Sequence, residues 1–213
     1  MRDILFITYL SVLTLGVLLG LYRYKGVDDK GKIILYLLIA TVLTEGTALI
    51  LTKNQVNQEP LYHLYSIIEI VLTSLYFFKT IKTRYYKVLI VITVIFWFVL
   101  GSLNAIFYQP LRTLNTNILL LESVSIIPMS IYALYVIFLA DDIQNVLKYP
   151  LFWVWACFLL YWSTTFFFWA YVRAFDQAHL PYENLITYSQ GMVNIINYIG
   201  LGYTFLLYPK PNK

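Results

Sequence analysis

The chain has 213 residues, 60% of them hydrophobic, 18% aromatic and only 12% charged, with a formal net charge of +4. Soluble domains carry roughly 25% charged residues. A soluble fold of this length has too little interior to hide so much apolar surface, so the composition excludes an ordinary soluble domain.

Seven apolar stretches, at 4–22, 33–52, 61–81, 86–108, 117–140, 149–172 and 185–208, each approach or exceed the ~20 residues a helix needs to cross a bilayer. Inside lipid only helices and closed barrels satisfy their backbone polar groups. These stretches lack the period-two alternation of barrel strands. The expected fold is therefore all-α: a polytopic integral membrane protein forming one seven-transmembrane-helix bundle over 1–213. The connections leave no room for a soluble domain.

Met1-Arg2-Asp3 runs straight into the first stretch, which lacks a small-residue cleavage site and reads as a retained helix rather than a signal peptide. It carries no acidic or amide side chain and is expected at the periphery. Gly16 and Gly20 make a small-xxx-small pair, suited either to packing within the chain or to a dimer contact.

The second stretch places Thr41, Glu45, Ala48 and Thr52 on one helical face. The third does the same with Tyr62, Ser66, Glu69, Thr73 and Tyr76, with His63 beside them. In the fifth, Asn115, Glu122, Ser125 and Tyr132 share a face, and Pro128 is expected to kink the helix. Pro150 opens the sixth, where a missing N–H costs little. That stretch presents Trp155, Trp162, Thr165 and Trp169 and holds the only cysteine, Cys157, so no internal disulfide can form. The seventh carries Thr187, Gln190, Asn194, Asn197 and Thr204, together with Gly191, Gly200 and Gly202.

Lys and Arg accumulate in cytoplasmic loops. Arg23, Lys25, Lys30, Lys32, Lys79, Lys82, Arg84, Lys87, Lys148, Lys210 and Lys213 fall on one side; Arg2, Lys53, Arg112 and Arg173 fall on the other. The bias puts the N-terminus outside and the C-terminus in the cytoplasm. The basic loops then face anionic headgroups rather than nucleic acid. Tyr22, Tyr24, Tyr62, Tyr85, Tyr86, Tyr108, Tyr149, Trp153 and Tyr208 sit near stretch ends, as an interfacial belt requires.

Three glutamates fall within spans: Glu45, Glu69 and Glu122. At ~1.5 Å rise per residue they lie roughly 10, 12 and 8 Å below the outer boundary. Carboxylates at membrane depth are costly and face a bundle interior or a wet cavity. No Lys or Arg lies at that depth, and three like charges at one level would repel, so some must be neutral, paired or ligand-bound. The stripes are expected to meet in an outward-facing acidic and aromatic pocket. Its expected ligand-binding residues are Glu45, Glu69, Glu122, His63, Tyr62, Ser66, Thr73, Ser125, Trp162, Thr165, Trp169, Gln190, Asn194 and Asn197. The bland alternative is that such stripes supply only interhelical hydrogen bonds, about 0.6 kcal/mol each.

Carboxylates beside Trp and Tyr faces suit a small organic cation. The first reading is therefore a receptor-like or sensor protein, which would need a separate membrane or cytoplasmic signalling partner. The second is a proton-coupled small-molecule transporter. The third is an intramembrane metal-dependent hydrolase using Glu45, Glu69, Glu122 and His63. It is weakened by the histidine count, since His63 and His179 are the only two, and by the lack of HExxH, GxSxG or CxxC. The layout resembles that of rhodopsins in architecture and in no motif. Retinal proteins need a lysine in the middle of the seventh helix; 185–208 contains none, so retinal is excluded and no cofactor is expected. Hydrolase-type seven-helix receptors carry several membrane histidines, which are also missing. Richness in Ile, Lys, Asn, Tyr and Phe points to an AT-rich bacterial genome and hence to a bacterial inner membrane.

Overall fold

The computed structural model describes residues 2–81, 84–113, 115–140, 145–177 and 183–209. His179, Lys82, Lys210 and Lys213 lie outside the described residues, as do the side chains of Arg2, Arg84, Tyr86, Arg173 and Thr187. Among the described residues there are seven α-helices and no strand: α1 (Arg2–Tyr22), α2 (Asp29–Lys53), α3 (Glu59–Thr80), α4 (Arg84–Leu103), α5 (Thr116–Phe138), α6 (Pro150–Gln177) and α7 (Glu183–Leu207). A short 3-10 turn, Val146–Lys148, precedes α6.

Five of them, α1, α2, α3, α5 and α6, are long and apolar enough to cross a membrane, and α4 has a shorter apolar stretch, Ile90–Leu103. Large apolar side chains such as Ile7, Leu18, Ile92, Phe98, Phe167 and Ile196 stand exposed along them. In water such faces would be an aggregation hazard; in lipid they match the solvent. This is the make-up of a multi-pass membrane protein.

Local chemistry sets the helix ends. Asp28 caps α2, its Oδ1 accepting from Gly31 N at 2.8 Å, as short acceptor side chains do at N-caps. Pro60 sits in the first turn of α3 and Pro150 opens α6, where no N–H is needed. The fourth stretch departs from the single helix expected over 86–108. After Leu103 it widens into a π-turn, Asn104–Tyr108, closed by Gln109 N donating to Asn104 O at 2.7 Å. The reason lies in the polar side chains at Asn104 and Gln109, which have partners of their own in the following loop.

The chain forms two compact units. One comprises Met1–Val27 and Leu120–Lys213, the other Asp28–Leu119. In the second, α3 packs between α2 and α4.

In the first, α7 packs between α1 and α6. A Cβ at Gly191 would fall 2.5 Å from Leu5 Cδ2, and one at Gly202 would fall 3.3 Å from Gly16 Cα. These contacts advance together along both helices, so α1 and α7 run parallel. The rings of Tyr9 and Tyr198 lie 5.7 Å apart on the same seam. Gly16 is thus used within the chain, against α7. The side of α1 carrying Ile4, Ile7, Leu15 and Leu18 stays exposed. At the far end, Arg23 is buried and its guanidinium Nη1 donates to Tyr208 O at 3.3 Å. A cation there complements the carbonyl end of α7. Along the α6–α7 seam, Cys157 meets Gly200, and the rings of Trp153 and Tyr203 are 5.2 Å apart.

Candidate functional site

The unit of α2, α3 and α4 carries Glu45, Glu69, His63, Tyr62, Ser66 and Thr73. Helical spacing puts Ser66, Thr73 and Tyr76 on the buried side of α3, with Tyr62 and Glu69 half-buried on its shoulder. On α2, Thr41 and Ala48 are buried and Glu45 is half-buried between them, while Thr52 at the helix end is exposed.

The two helices meet through their polar faces. The Tyr62 hydroxyl donates to the Glu45 carboxylate across the α2–α3 seam. The Tyr65 hydroxyl bonds both to Glu69, one turn along α3, and to Thr41 Oγ1 at 2.8 Å. Thr41 Oγ1 also donates to Leu37 O at 2.9 Å. Each carboxylate therefore has a tyrosine partner.

Next to this seam lies a buried amide cluster. Asn104 Nδ2 donates to Gln109 Oε1 at 3.2 Å and to Asn115 Oδ1 at 3.4 Å. Asn104 Oδ1 accepts from Asn117 Nδ2 at 2.9 Å. Gln109 Nε2 donates to Thr116 Oγ1 at 2.7 Å, and Gln109 Oε1 accepts from Asn117 N at 3.1 Å. Asn115 Nδ2 reaches Ser66 Oγ on α3 at 3.5 Å, and Ser66 donates to Tyr62 O at 3.1 Å. His63 is 8% exposed, with Nε2 spent on Thr113 O at 3.0 Å. The cluster therefore anchors the π-turn and the α4–α5 connection to the same face of α3 that presents Tyr62 and Tyr65. Single-turn π segments recur at functional sites.

Of the sequence candidates, Tyr62 and Glu45 are bonded directly, and Ser66, His63 and Glu69 stand on the same helix with the partners just described. Thr73 is buried further along α3. Sequence reasoning passed over Tyr65, although it lies one helical turn before Glu69 and spacing alone pairs them. It also passed over Asn104, Gln109 and Asn117, which fall at a span end and in a loop, where no periodic signal exists.

The remaining candidates belong to the other unit. Glu122 is 1% exposed on α5 and Thr165 1% exposed on α6. Trp162, Trp169 and Asn197 are buried; Ser125, Gln190 and Asn194 are half-buried. Among the described residues no three of His, Cys, Asp and Glu gather as a metal-ligand group. No protein-family model matches the chain, and no curated protein or solved structure matches it either.

Proposed function

We propose that the chain is a receptor-like protein that binds a small organic cation at the α2–α3 carboxylates and passes the signal to a separate partner. In this reading it spans a bacterial inner membrane seven times, with the N-terminus outside and the C-terminus in the cytoplasm. The parallel course of α1 and α7 supports the count, because a first and a seventh span must cross in the same direction. The surplus of Lys and Arg in alternate loops supports the orientation.

One observation carries the ligand class. Glu45 and Glu69 stand on adjoining helices, each bonded to a tyrosine hydroxyl, and neither 33–52 nor 61–78 contains a Lys or Arg. Carboxylates at membrane depth favour a positive partner. An ammonium ligand supplies that charge. Tyrosine rings add cation–π attraction of about 0.5–2 kcal/mol.

The test uses the detergent-purified full chain, with butylammonium and tetramethylammonium as probes and butanol as the neutral control. Both cations should raise the melting midpoint saturably and butanol should not. Glu69→Gln should weaken the response far more than Ser130→Ala, and Glu45→Gln likewise. In liposomes no probe-driven proton flux should appear. A flux would transfer the assignment to proton-coupled transport. The absence of any cation-specific shift would overturn the ligand class.

A further inference from the structure

Arg23 stands just past α1, over the end of α7, and is 9% exposed. Its Nη1 donates to Tyr208 O at 3.3 Å, and its guanidinium carbon lies 5.9 Å from the Tyr22 ring centroid. Nε is buried and has no hydrogen-bond partner among the described residues. No carboxylate among them forms an ion pair with Arg23. Asp28, the nearest acid along the chain, gives its Oδ1 to Gly31 N at the start of α2. A guanidinium carries its N–H donors in a fixed fork. A buried cation is costly unless an anion and hydrogen bonds compensate it. One carbonyl on one arm of the fork, with nothing on Nε, leaves that compensation incomplete.

A second cation stands beside it. Lys25 is exposed two residues on, in a turn closed by Gly26 N donating to Arg23 O at 2.8 Å. Gly26 seats that turn on the Pro209 carbonyl, so both cations are fixed against the end of α7. Along α1, Leu15, Leu18 and Leu21 stand exposed, and this apolar column leads to the same end. A molecule whose acyl chains lie on the column sets its headgroup level with Arg23 and Lys25. Phosphate oxygens accept from two N–H groups along one edge of a guanidinium, a pairing that a lysine cannot reproduce. In the orientation proposed above this end is cytoplasmic, where anionic lipids attract basic residues.

We propose that Arg23 and Lys25 hold the phosphate of an anionic phospholipid, with Nη1 kept on Tyr208 O and the Nε–Nη2 edge turned to the headgroup. The site is independent of the α2–α3 carboxylates. Its rivals are Asp141 and Asp142, which belong by sequence to the connection between α5 and α6. The Phe138–Phe152 and Trp153–Tyr203 ring pairs put the end of α5 and the start of α6 at the same end of the unit as Tyr208. Either aspartate would neutralise Arg23 in place of a lipid.

The experiment melts the detergent-purified full chain, washed free of lipid, with added phosphatidylglycerol, phosphatidylcholine or inorganic phosphate. Phosphatidylglycerol should raise the midpoint saturably; the zwitterionic lipid and the free anion should not. Lys25→Gln, in an exposed turn, should raise the half-saturating lipid content about fivefold, the worth of one lysine at an anionic surface. Arg23→Lys keeps the charge and loses the fork, and should raise it about tenfold. Unchanged affinity in both variants overturns the proposal. Equal shifts with the two lipids overturn it, because the headgroup is then not read. An equal response to inorganic phosphate overturns the lipid assignment in favour of a free anion. An unresponsive wild type overturns it too; if Asp141→Asn/Asp142→Asn then becomes responsive, those aspartates are the neutralising groups.

Discussion

Gly200 of α7 is seated directly on Cys157 of α6: a Cβ built on the glycine would overlap Sγ. Helices in lipid gain little from apolar burial and associate through close packing, so this small pair holds the α6–α7 seam together. Gly200→Ala should destabilise the chain by about 1–3 kcal/mol through overpacking. Cys157→Ala alone should cost less, and the double variant Gly200→Ala/Cys157→Ala should recover much of the loss. Denaturant unfolding of the four proteins checks this as a double-mutant cycle.

Gly26 behaves differently because its neighbour is backbone. An added Cβ would overlap the Pro209 carbonyl oxygen, which cannot rotate away. Gly26→Ala should therefore displace the turn after α1 from the end of α7 and break the Arg23–Tyr208 contact. The expected cost is again about 1–3 kcal/mol, with no side-chain variant able to rescue it. Faster hydrogen exchange at the ends of α1 and α7 should accompany the loss.

Asn104 is buried and serves three amide partners. Asn104→Leu keeps the branched shape and removes every one of those bonds, taking one partner each from Asn115, Asn117 and Gln109. Orphaned buried polar groups cost about 1–3 kcal/mol. Amide exchange should quicken across 104–117, while the α1–α7 seam should keep its protection. Uniform loosening of both would contradict the local role.

Gln55, in the turn after α2, has φ 56°. A left-handed conformation costs a non-glycine residue roughly 1–2 kcal/mol. Gln55→Gly should relieve that strain against the extra entropy of the unfolded glycine, leaving stability unchanged or up to about 1 kcal/mol higher. Gln55→Val should lower it. Equilibrium unfolding of the two variants distinguishes these outcomes.

Much of the scaffold was written locally. Apolar runs and their breaks placed all seven helices to within a few residues, because hydropathy, Pro60, Pro150 and the Asp28 cap act on the segment that carries them. Spacing also identified the faces: Ser66, Thr73 and Tyr76 on α3, and Trp155, Trp162 and Thr165 on α6, are buried as their period requires. Partner choice was not local. That Gly16 packs against Gly202, that Tyr65 bonds Thr41 as well as Glu69, and that α1 runs parallel to α7 follow from contacts between residues far apart in the chain. The π-turn at Asn104 likewise depends on amides that arrive from Asn115 and Asn117. Periodicity reports which side of a helix avoids the surroundings; only packing decides what that side meets.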